Sequence, residues 1–300
     1  MALDLVRLRV LAAVARHGSV TAAARELHYS QPSVSHHLAK LEAETGAQLL
    51  QRVGRGVRLT EAGRLLADRA TEILGRVDAA SAELSAHVGL DAGRVRLAGF
   101  SSALSTLAPA AAAMLAQRHP GLELSLVDAH PEEALAMLRT GRVDVAVIFQ
   151  YDDGAPEDAD IRLHHLLDDP TYVVGPDPVN TVAGHRDSRW IGGCERCRSH
   201  LLAVCEREGF EPTIGFTSDD AVVMQSLVAA GMGVAILPGM ALRAHRAEGV
   251  VATEHEGAPR HVFAATYGEP PDPPATAALL EALHEAVTVV TASKVSSSTS

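Results

Sequence analysis

The chain has 300 residues, of which 47% are hydrophobic, 3% aromatic and 21% charged, so it has enough apolar residues for a buried core and too few charges for a disordered chain. Three cysteines are too few, and the wrong parity, for an extracellular disulfide framework. The start Met1-Ala2-Leu3-Asp4 lacks the basic and apolar regions of a signal peptide, and the most apolar window, Ala221 to Pro238, is interrupted by Gln225, Gly231 and Gly233. We expect a cytoplasmic protein of two or three domains with no membrane partner.

The charge is distributed unevenly along the chain. The whole protein carries −11, yet residues 1–65 hold nine Lys/Arg against five Asp/Glu, a net +4, while the remaining 17 Lys/Arg and 32 Asp/Glu give −15. A basic head on an acidic body permits phosphate contact at one end and repels nucleic acid elsewhere.

Residues 1–60 are predicted to form a winged helix-turn-helix domain. Three amphipathic patterns follow one another, with Ser19 and Ser30 as caps of the second and third helices and Pro32 in the first turn of the third. The short gap between these two helices is typical of a helix-turn-helix. The apolar faces are Leu8, Leu11, Ala12 and Ala15, then Val20, Ala23, Ala24 and Leu27, then Val34, Leu38 and Leu41.

Two features of this segment suit DNA. Ser33, His36 and Lys40 form a polar stripe on the third helix, which fits either a solvated helix face or a helix that reads a major groove. The following turn carries three cations and two glycines, as a wing lying along phosphates requires, and this order favours the DNA-binding interpretation. The wing cations are Arg52, Arg55 and Arg58.

Residues 61–89 are predicted to form one long helix, capped by Thr60 and extending roughly 40 Å at 1.5 Å per residue. Apolar residues repeat along it with alternating spacings of four and three, the pattern of a two-stranded helical pairing. The alternative is a helix packed on its own domain; a dimer helix is favoured because no other segment offers an obvious partner. The predicted seam is Leu66, Ala70, Ile73, Val77, Ala80 and Leu84.

Residues 93–290 alternate strand and helix, which predicts an α/β domain with a parallel sheet. A second α/β set follows the first, so we expect two lobes, the second spanning about residues 161–264, with a ligand cleft at strand carboxyl ends. The serine-rich residues 291–300 are predicted to be a disordered tail. The predicted elements are strand 95–100, helix 103–118, strand 122–127, helix 132–140, strand 143–149, a strand near 172–174, helices 199–208 and 221–230, and strand 234–237.

The order of these residues resembles the LysR-type transcriptional regulators over nearly the whole chain. The resemblance rests mainly on Arg16-His-Gly-Ser-Val-Thr-Ala-Ala-Ala24, on Leu27-His-Tyr-Ser-Gln-Pro-Ser-Val-Ser-His36, and on Leu59-Thr-Glu-Ala-Gly63. It is supported by Leu227 to Pro238. The resemblance implies a winged helix, a dimerising linker helix and a two-lobed sensor like the periplasmic binding proteins. It also implies promoter DNA, a small-molecule effector and RNA polymerase as partners, a homodimer or homotetramer, and no cofactor.

The resemblance also implies functional residues. The family's DNA contacts fall on Gln31, Pro32, Ser33, Ser35, His36, Arg52 and Arg55, to which the polar stripe and wing add Lys40 and Arg58. His36 departs from the family, which commonly has arginine there, so the preferred base is open. For the cleft, serine hydroxyls at a helix start fit both ligand binding and ordinary helix capping. The predicted effector-binding residues are Ser101, Ser102, His130, Phe149, Gln150, Cys197, Thr217 and Asp219.

The three cysteines lie close together in Cys194-Glu-Arg-Cys197 and at Cys205. A C-x-x-C beside arginines at a helix start is where thiol pKa values fall, which fits a redox-responsive site. Cys194, Cys197, His200 and Cys205 also offer four ligand types suited to zinc. The third interpretation, and the favoured one, is that these are half-buried residues with no chemistry.

The sequence therefore predicts a sequence-specific DNA-binding transcriptional regulator switched by a small molecule between two lobes. Two alternatives stay open: a thiol-responsive regulator acting through Cys194 and Cys197, and an effector-independent DNA-binding protein. An enzyme is not expected, because the sequence has no glycine-rich phosphate loop, HExxH or GxSxG motif.

Overall fold

The computed structural model describes residues 3–53, 56–87, 93–151, 160–257 and 259–292. The chain divides into two compact units, residues 1–90 with 136–142 and residues 91–135 with 143–300. We refer to them as the head unit and the effector unit. The effector unit contains two lobes, each with its own sheet and core.

Three short helices begin the head unit: α1 (Leu5–His17), α2 (Val20–Glu26) and α3 (Gln31–Thr45). Each starts where a side chain satisfies free backbone N–H groups, and the Ser19 and Ser30 caps predicted for α2 and α3 are both present. Gly18 and Gly46 end α1 and α3 in the left-handed conformation. The predicted apolar residues Leu8, Leu11, Ala12, Ala23, Ala24, Val34, Leu38 and Leu41 are all buried in one core.

A two-stranded wing follows, formed by β1 (Leu50–Val53) and β2 (Gly56–Leu59) in antiparallel register. Its entry is fixed by Glu42 of α3, whose Oε1 accepts hydrogen bonds from the Leu49 and Leu50 N–H groups at 2.8 and 3.0 Å. Two bonds to one carboxylate tie the wing to the third helix. The predicted wing residue Arg55 lies outside the described residues.

The long helix α4 (Glu61–His87) has the predicted extent and Thr60 cap, with Thr60 Oγ1 accepting from the Gly63 N–H. The predicted seam is corrected in part. Ala70 is fully buried against the head core, and Leu66 and Ile73 pack on the same core, because α1 covers this half of α4. The expectation that the monomer offers no partner was wrong for that half. Ala80 and Leu84, further along, are exposed, and Val77 is 37% exposed.

The first lobe of the effector unit contains a five-stranded sheet. Its core strands are β3 (Gly93–Gly99), β4 (Leu122–Asp128) and β5 (Val145–Gln150), which run parallel as predicted. The sheet is nevertheless mixed rather than parallel, because β12 (Arg260–Tyr267) pairs antiparallel with β5 and with β6 (Ile161–Asp169). Helices α5 (Ser101–Arg118) and α10 (Pro274–Ala292) pack in the core of this lobe, and α6 (Pro131–Arg139) begins in the effector unit and ends in the segment 136–142 that groups with the head unit.

The strands of the second lobe pair in the same order as those of the first lobe, but they are shorter. β8 (Arg189–Gly192) and β9 (Thr213–Thr217) are parallel, and β8 meets the next strand through a Trp190–Val234 bridge. The remaining strands, β7 (Thr171–Gly175), β10 (Ala235–Pro238) and β11 (Val251–Glu254), form an antiparallel sheet with β7 at its centre. Helices α7 (Glu195–Arg207), α8 (Ala221–Ala229) and α9 (Gly239–Ala244) complete the lobe; α7 begins four residues before its predicted start.

The predicted second-lobe range, 161–264, is wrong at both ends. β6 and β12 complete the first-lobe sheet, so the chain enters the second lobe between Asp169 and Thr171 and returns between Glu254 and Arg260. The predicted tail also begins too early, because α10 continues to Ala292; residues 293–300 lie outside the described residues.

One helix within the described ranges, α10, is long and apolar enough to cross a membrane by length and composition. It belongs to the first-lobe core, where Leu279, Leu283 and Ala286 are fully buried, and a core helix passes the same test. The more apolar window noted in the sequence, Ala221 to Pro238, forms α8 and β10.

Candidate DNA-binding surface and effector cavity

The exposed face of α3 carries most of the predicted DNA-contacting residues. Gln31 and Pro32 stand in its first turn beside the Ser30 cap, and Ser33 is half-buried beneath them. The opposite face holds Val34, Leu38 and Leu41 in the core, so the helical period turns the polar positions outward. The exposed polar positions of α3 are Gln31, Ser35, His36 and Lys40.

Other basic side chains of the head unit contact carboxylates. Arg7 is paired with Glu44, and both Arg16 and His17 contact Glu26. These pairs join α1 to α3 and to α2, so part of the +4 charge of residues 1–65 stabilises the packing of the helices. On the wing, the exposed Arg58 lies opposite Gln51 and Arg52 opposite Val57.

Sequence reasoning missed an aromatic pair next to this surface. Tyr29 is 42% exposed just before α3, and its ring stacks on His37 with centroids 5.8 Å apart and planes 24° from parallel. His37 in turn meets His36 edge-on at 6.2 Å. The signal in the sequence that could have revealed this pair is a tyrosine directly before the Ser30 cap of α3. The stack restricts the side-chain conformation of His37, the neighbour of His36, which is predicted to contact DNA bases.

A cavity of 770 Å³ lies between the two lobes of the effector unit. It sits at the carboxyl ends of β3, β4 and β5, the position expected for a ligand in an open α/β sheet. The predicted residues Ser101, Ser102, His130, Phe149, Cys197 and Asp219 all line it. Gln150 and Thr217 do not line it. Gln150 follows Phe149 in β5 and therefore points to the other face of the sheet, and no residue of β9 lines the cavity.

The floor of this cavity contains a buried arginine that the sequence analysis did not single out. Arg260 is 2% exposed, and its guanidinium lies over the rings of Phe100 and Phe149 at 4.7 and 4.8 Å. Its Nε donates to Asp169 at 2.9 Å and an Nη donates to Ser102 Oγ at 2.8 Å. Arg260 opens β12 directly after Pro259, and no local pattern in the sequence marks it as buried.

Asp169 is the counter-ion of that arginine and is fully buried. Its carboxylate also accepts from Arg243 at 3.0 Å and from the Met240 N–H at 2.9 Å. Two arginines therefore share one aspartate, so the network as a whole carries one excess positive charge, and Arg260 is its member that lines the cavity. The network joins β6, β12 and α9, and thereby links the two lobes.

The start of α5 supplies further donors. Phe100 occupies the cap position and makes no side-chain capping bond, so the N–H groups of Ser101 and Ser102, which line the cavity, have no capping side chain at the start of this 18-residue helix. Ser102 Oγ is held by Arg260, and Ser101 Oγ lies 3.2 Å from an Asp128 oxygen. The capping interpretation of these two serines is thus not supported, since neither caps its own helix. The arrangement favours a negatively charged or acceptor group at the cavity floor.

The cavity rim is acidic in contrast. Asp128, Glu133, Asp219 and Asp220 all line it, and His130 Nε2 lies 3.5 Å from Asp219. Asp220 also caps α8 by accepting from the Val222 and Val223 N–H groups. Carboxylates at the rim and a cation at the floor give the cavity opposite charges at its two ends.

Cys194 and Cys197 lie where α7 begins, with their Sγ atoms 3.1 Å apart. The hydrogen bond from Cys197, with further help from His130, lowers the pKa of Cys194 to about 6 despite partial burial. The same contact and burial raise the pKa of Cys197 far above its ordinary value. Tyr151 donates to Cys197 Sγ at 3.8 Å and stacks on His200 at 3.8 Å. Of the two thiols, Cys194 therefore loses its proton at the lower pH.

The zinc set proposed from the sequence does not converge. Cys194 and Cys197 pack against the first-lobe core, whereas Cys205 is buried in a second-lobe core with Trp190 and Val204. Burial raises the pKa of Cys205 to about 11, which disfavours the thiolate that a metal needs. Within the described ranges these four residues do not form a ligand group; a different group, His165, Asp168 and His261, does.

Comparisons with known proteins agree with this architecture. The model of the bacterial regulatory helix-turn-helix protein, lysR family, matches residues 5–64, and that of the LysR substrate binding domain matches residues 89–288. A RuBisCO operon transcriptional regulator of Allochromatium vinosum is 36% identical over 62% of this chain, and the match spans 60% of that protein's length. A probable cat1 operon transcriptional activator of Acinetobacter lwoffii is 30% identical over 80% of this chain and 82% of its own.

Solved structures show the same fold. A full-length OxyR variant from Pseudomonas aeruginosa superposes with a TM-score of 0.69 at 24% identity, covering 97% of this chain and 96% of that one. CbnR complexed with its target DNA superposes with a TM-score of 0.68 at 22% identity, covering 95% of this chain and 100% of that one.

Proposed function

Because the chain belongs to the LysR family of bacterial helix-turn-helix regulators, we propose that its α3 helix reads promoter DNA while the cavity between its lobes binds the effector. The chain is a DNA-binding transcriptional regulator with an effector-binding domain, and not an enzyme. The observation that carries the reading role is the exposed polar face of α3, backed by a fully apolar opposite face. Gln31, Ser35 and His36 contact bases, and Lys40 and Arg58 contact phosphates.

The second half of α4 is the proposed dimer contact. Ala80 and Leu84 lie on the predicted seam and are exposed, whereas Leu66, Ala70 and Ile73 are already used by the head core. A two-stranded pairing through this half places two reading helices on two half-sites. We propose a homodimer on this basis, with a homotetramer built from dimers, acting in the cytoplasm where promoter DNA lies.

The charge pattern of the cavity indicates the class of effector. Arg260, the Ser102 hydroxyl and the open start of α5 suit an anionic group at the floor, and the rim carboxylates suit a cationic group. The rings of Phe100 and Phe149 add apolar surface to the lining of the cavity. We infer a small zwitterion, such as an amino acid, as the class that satisfies both ends.

DNA binding is tested by selecting genomic fragments with the purified full-length chain and footprinting the selected fragments at two salt concentrations. We expect a few promoter regions with two-fold symmetric protection, and affinity that falls as salt rises. Absence of binding at low salt would contradict the reading role of α3. Salt-sensitive binding without preferred fragments would contradict sequence-specific reading by His36 and its neighbours.

The effector class is tested separately by calorimetry with amino acids, their N-acetyl derivatives and their amides. Only compounds with both charges are expected to bind. Ser102→Ala should weaken binding about tenfold or more, because a hydrogen bond to a charged group contributes about 1.5–3 kcal/mol. Ser226→Ala is the matched control, since Ser226 bonds its own helix at Val222 O and does not line the cavity. Tighter binding of an amide than of its parent amino acid would overturn the assignment.

A second candidate function, response to a hydroperoxide, is favoured by the 3.1 Å Sγ–Sγ distance. The Cys194 thiolate would attack the peroxide oxygen, releasing an alcohol or water and leaving a sulfenic acid. The Cys197 thiol would then displace water from that sulfur and form a disulfide, with both electrons accepted by the peroxide. The helix start, the lowered pKa of Cys194 and the neighbouring Cys197 thiol support these two steps.

The pH dependence of alkylation tests this candidate. The lowered pKa means that Cys194 is a thiolate above about pH 6, so its iodoacetamide rate should rise through that pH and level off near neutrality. Cys194→Ser should abolish the rapid phase, while Cys205→Ser, the control, should retain it. Peroxide should remove two hydrogens, measured by mass spectrometry, from the parent protein and from Cys205→Ser, but not from Cys194→Ser. A rate that keeps rising to pH 9 would exclude the activated thiol.

A further inference from the structure

Three side chains of metal-ligand type converge on the outer face of the first-lobe sheet. Asp168 Oδ1 lies 2.8 Å from His165 Nε2 and 2.7 Å from His261 Nδ1. One ligand atom from each residue lies within 4.8 Å of the others.

A β-bulge brings the three residues to one face. Val262 pairs with Leu167 and Phe263 with His165, so Leu166 is an extra residue on β6. In a regular strand, residues three apart point to opposite faces; one inserted residue puts His165 and Asp168 on the same face. The burial pattern agrees, because Leu166 and Leu167 are both buried between the exposed His165 and Asp168. His261 stands directly opposite Asp168 on β12.

We propose that His165, Asp168 and His261 bind a divalent late transition-metal ion, of which Zn²⁺, Ni²⁺ and Cu²⁺ are the fitting examples. Two imidazoles and one carboxylate suit these ions, whereas Mg²⁺ and Ca²⁺ require oxygen ligands. Each imidazole already directs a ring nitrogen at the same carboxylate oxygen. An ion entering this space replaces shared protons with coordinate bonds after small side-chain movements, and water completes the coordination.

The site occupies the strands that connect the lobes. Asp168 and His261 face outward, and their chain neighbours Asp169 and Arg260 face inward and bond to each other beneath the effector cavity. A bound ion ties β6 to β12 beside both crossings of the chain between lobes. The metal site and the effector cavity therefore lie on opposite faces of β6 and β12.

Cobalt spectroscopy of the tag-free full-length chain tests the proposal. Co²⁺ should give ligand-field absorption that saturates at one ion per protomer, and Zn²⁺ should displace it. His165→Gln and His261→Gln should each weaken binding at least about tenfold, because even residues that only support a ligand contribute 10- to 100-fold. His119→Gln is the control, since His119 is an exposed histidine on another part of the first lobe.

The same experiment distinguishes cobalt binding by the cysteine pair from cobalt binding at the histidine site. Thiolate ligation gives intense sulfur-to-cobalt charge-transfer absorption, and a Cys194→Ser/Cys197→Ser variant removes it. Retention of saturable binding in that variant, with loss in Asp168→Asn, supports the site. Unchanged Co²⁺ affinity in all three site variants, or loss of all binding in the double cysteine variant, would overturn it.

Discussion

The head unit and the effector unit use charged residues in opposite ways. In the head unit, the side chains assigned to function, such as His36, Lys40 and Arg58, are exposed and lie outside the core. In the effector unit, the decisive charges, Arg260 and Asp169, are 2% and 0% exposed and hold the lobes together. Substitution in the head should therefore separate DNA binding from stability, whereas substitution at the cavity floor should change ligand binding and stability together.

The largest effect is expected from Asp169→Ala. The change leaves Arg260 and Arg243 buried without their shared counter-ion, which costs about 3–5 kcal/mol when one partner of a buried pair is removed. Denaturant unfolding followed by the fluorescence of Trp190, the one tryptophan in the sequence, reports the effector unit. Asp187→Asn, at an exposed position, should change stability by no more than ~0.5 kcal/mol. A comparable loss in both variants would contradict the special role of the buried network.

Gly63→Ala tests packing in the head unit. A Cβ at Gly63 would lie 2.0 Å from the Leu49 carbonyl oxygen, so α4 must move away from the segment that enters the wing. Overpacking of this kind costs about 1–3 kcal/mol. Hydrogen exchange measured by mass spectrometry should show faster exchange in α1 and α4 of the variant and unchanged protection in β3 and β5. Ala62→Ser, at the exposed neighbouring position, should leave both regions as in the parent chain.

His36→Ala and Arg58→Ala divide the functional roles within the head. His36→Ala should reduce discrimination between the selected promoter and variants at one base by about 1 kcal/mol, because one ring nitrogen makes one bond. Arg58→Ala should weaken binding to all sequences alike and reduce the salt slope by about 1. Neither should change unfolding, since both side chains are exposed. Equal losses on promoter and random DNA for both variants would contradict this division.

The head unit could be predicted from the sequence more accurately than the effector unit. Caps, turns and 3.6-residue periodicity are local signals, so α1 to α4 and the wing were predicted within a few residues, and the family comparison confirms the winged helix-turn-helix and two-lobed classes. The lobe boundary was missed because β6 and β12 join the first sheet through long-range pairing. Ile161 and Arg260 carry no local mark of which sheet they enter.

The candidate sites show the same limit. Ser102 and Phe149 were found because each follows a strand or opens a helix, which places it at a strand carboxyl end. Arg260 was missed because its burial depends on Asp169, 91 residues away along the chain. The histidine cluster was missed because the bulge at Leu166 changes which residues share a face, and strict alternation predicts the opposite.

The smallest effect is expected in the turn of the helix-turn-helix. His28 has φ of 55° and is exposed, so it holds the left-handed conformation without a core role. His28→Gly removes about 1 kcal/mol of backbone strain, and the greater freedom of glycine in the unfolded chain offsets about 0.5–1 kcal/mol of that gain. Hydrogen exchange of α2 and α3 should therefore change little, whereas His28→Ile, a β-branched residue at positive φ, should speed exchange clearly. A marked loss of protection in His28→Gly would mean that the His28 side chain itself stabilises the turn, and that the head depends on an exposed side chain for more than DNA binding.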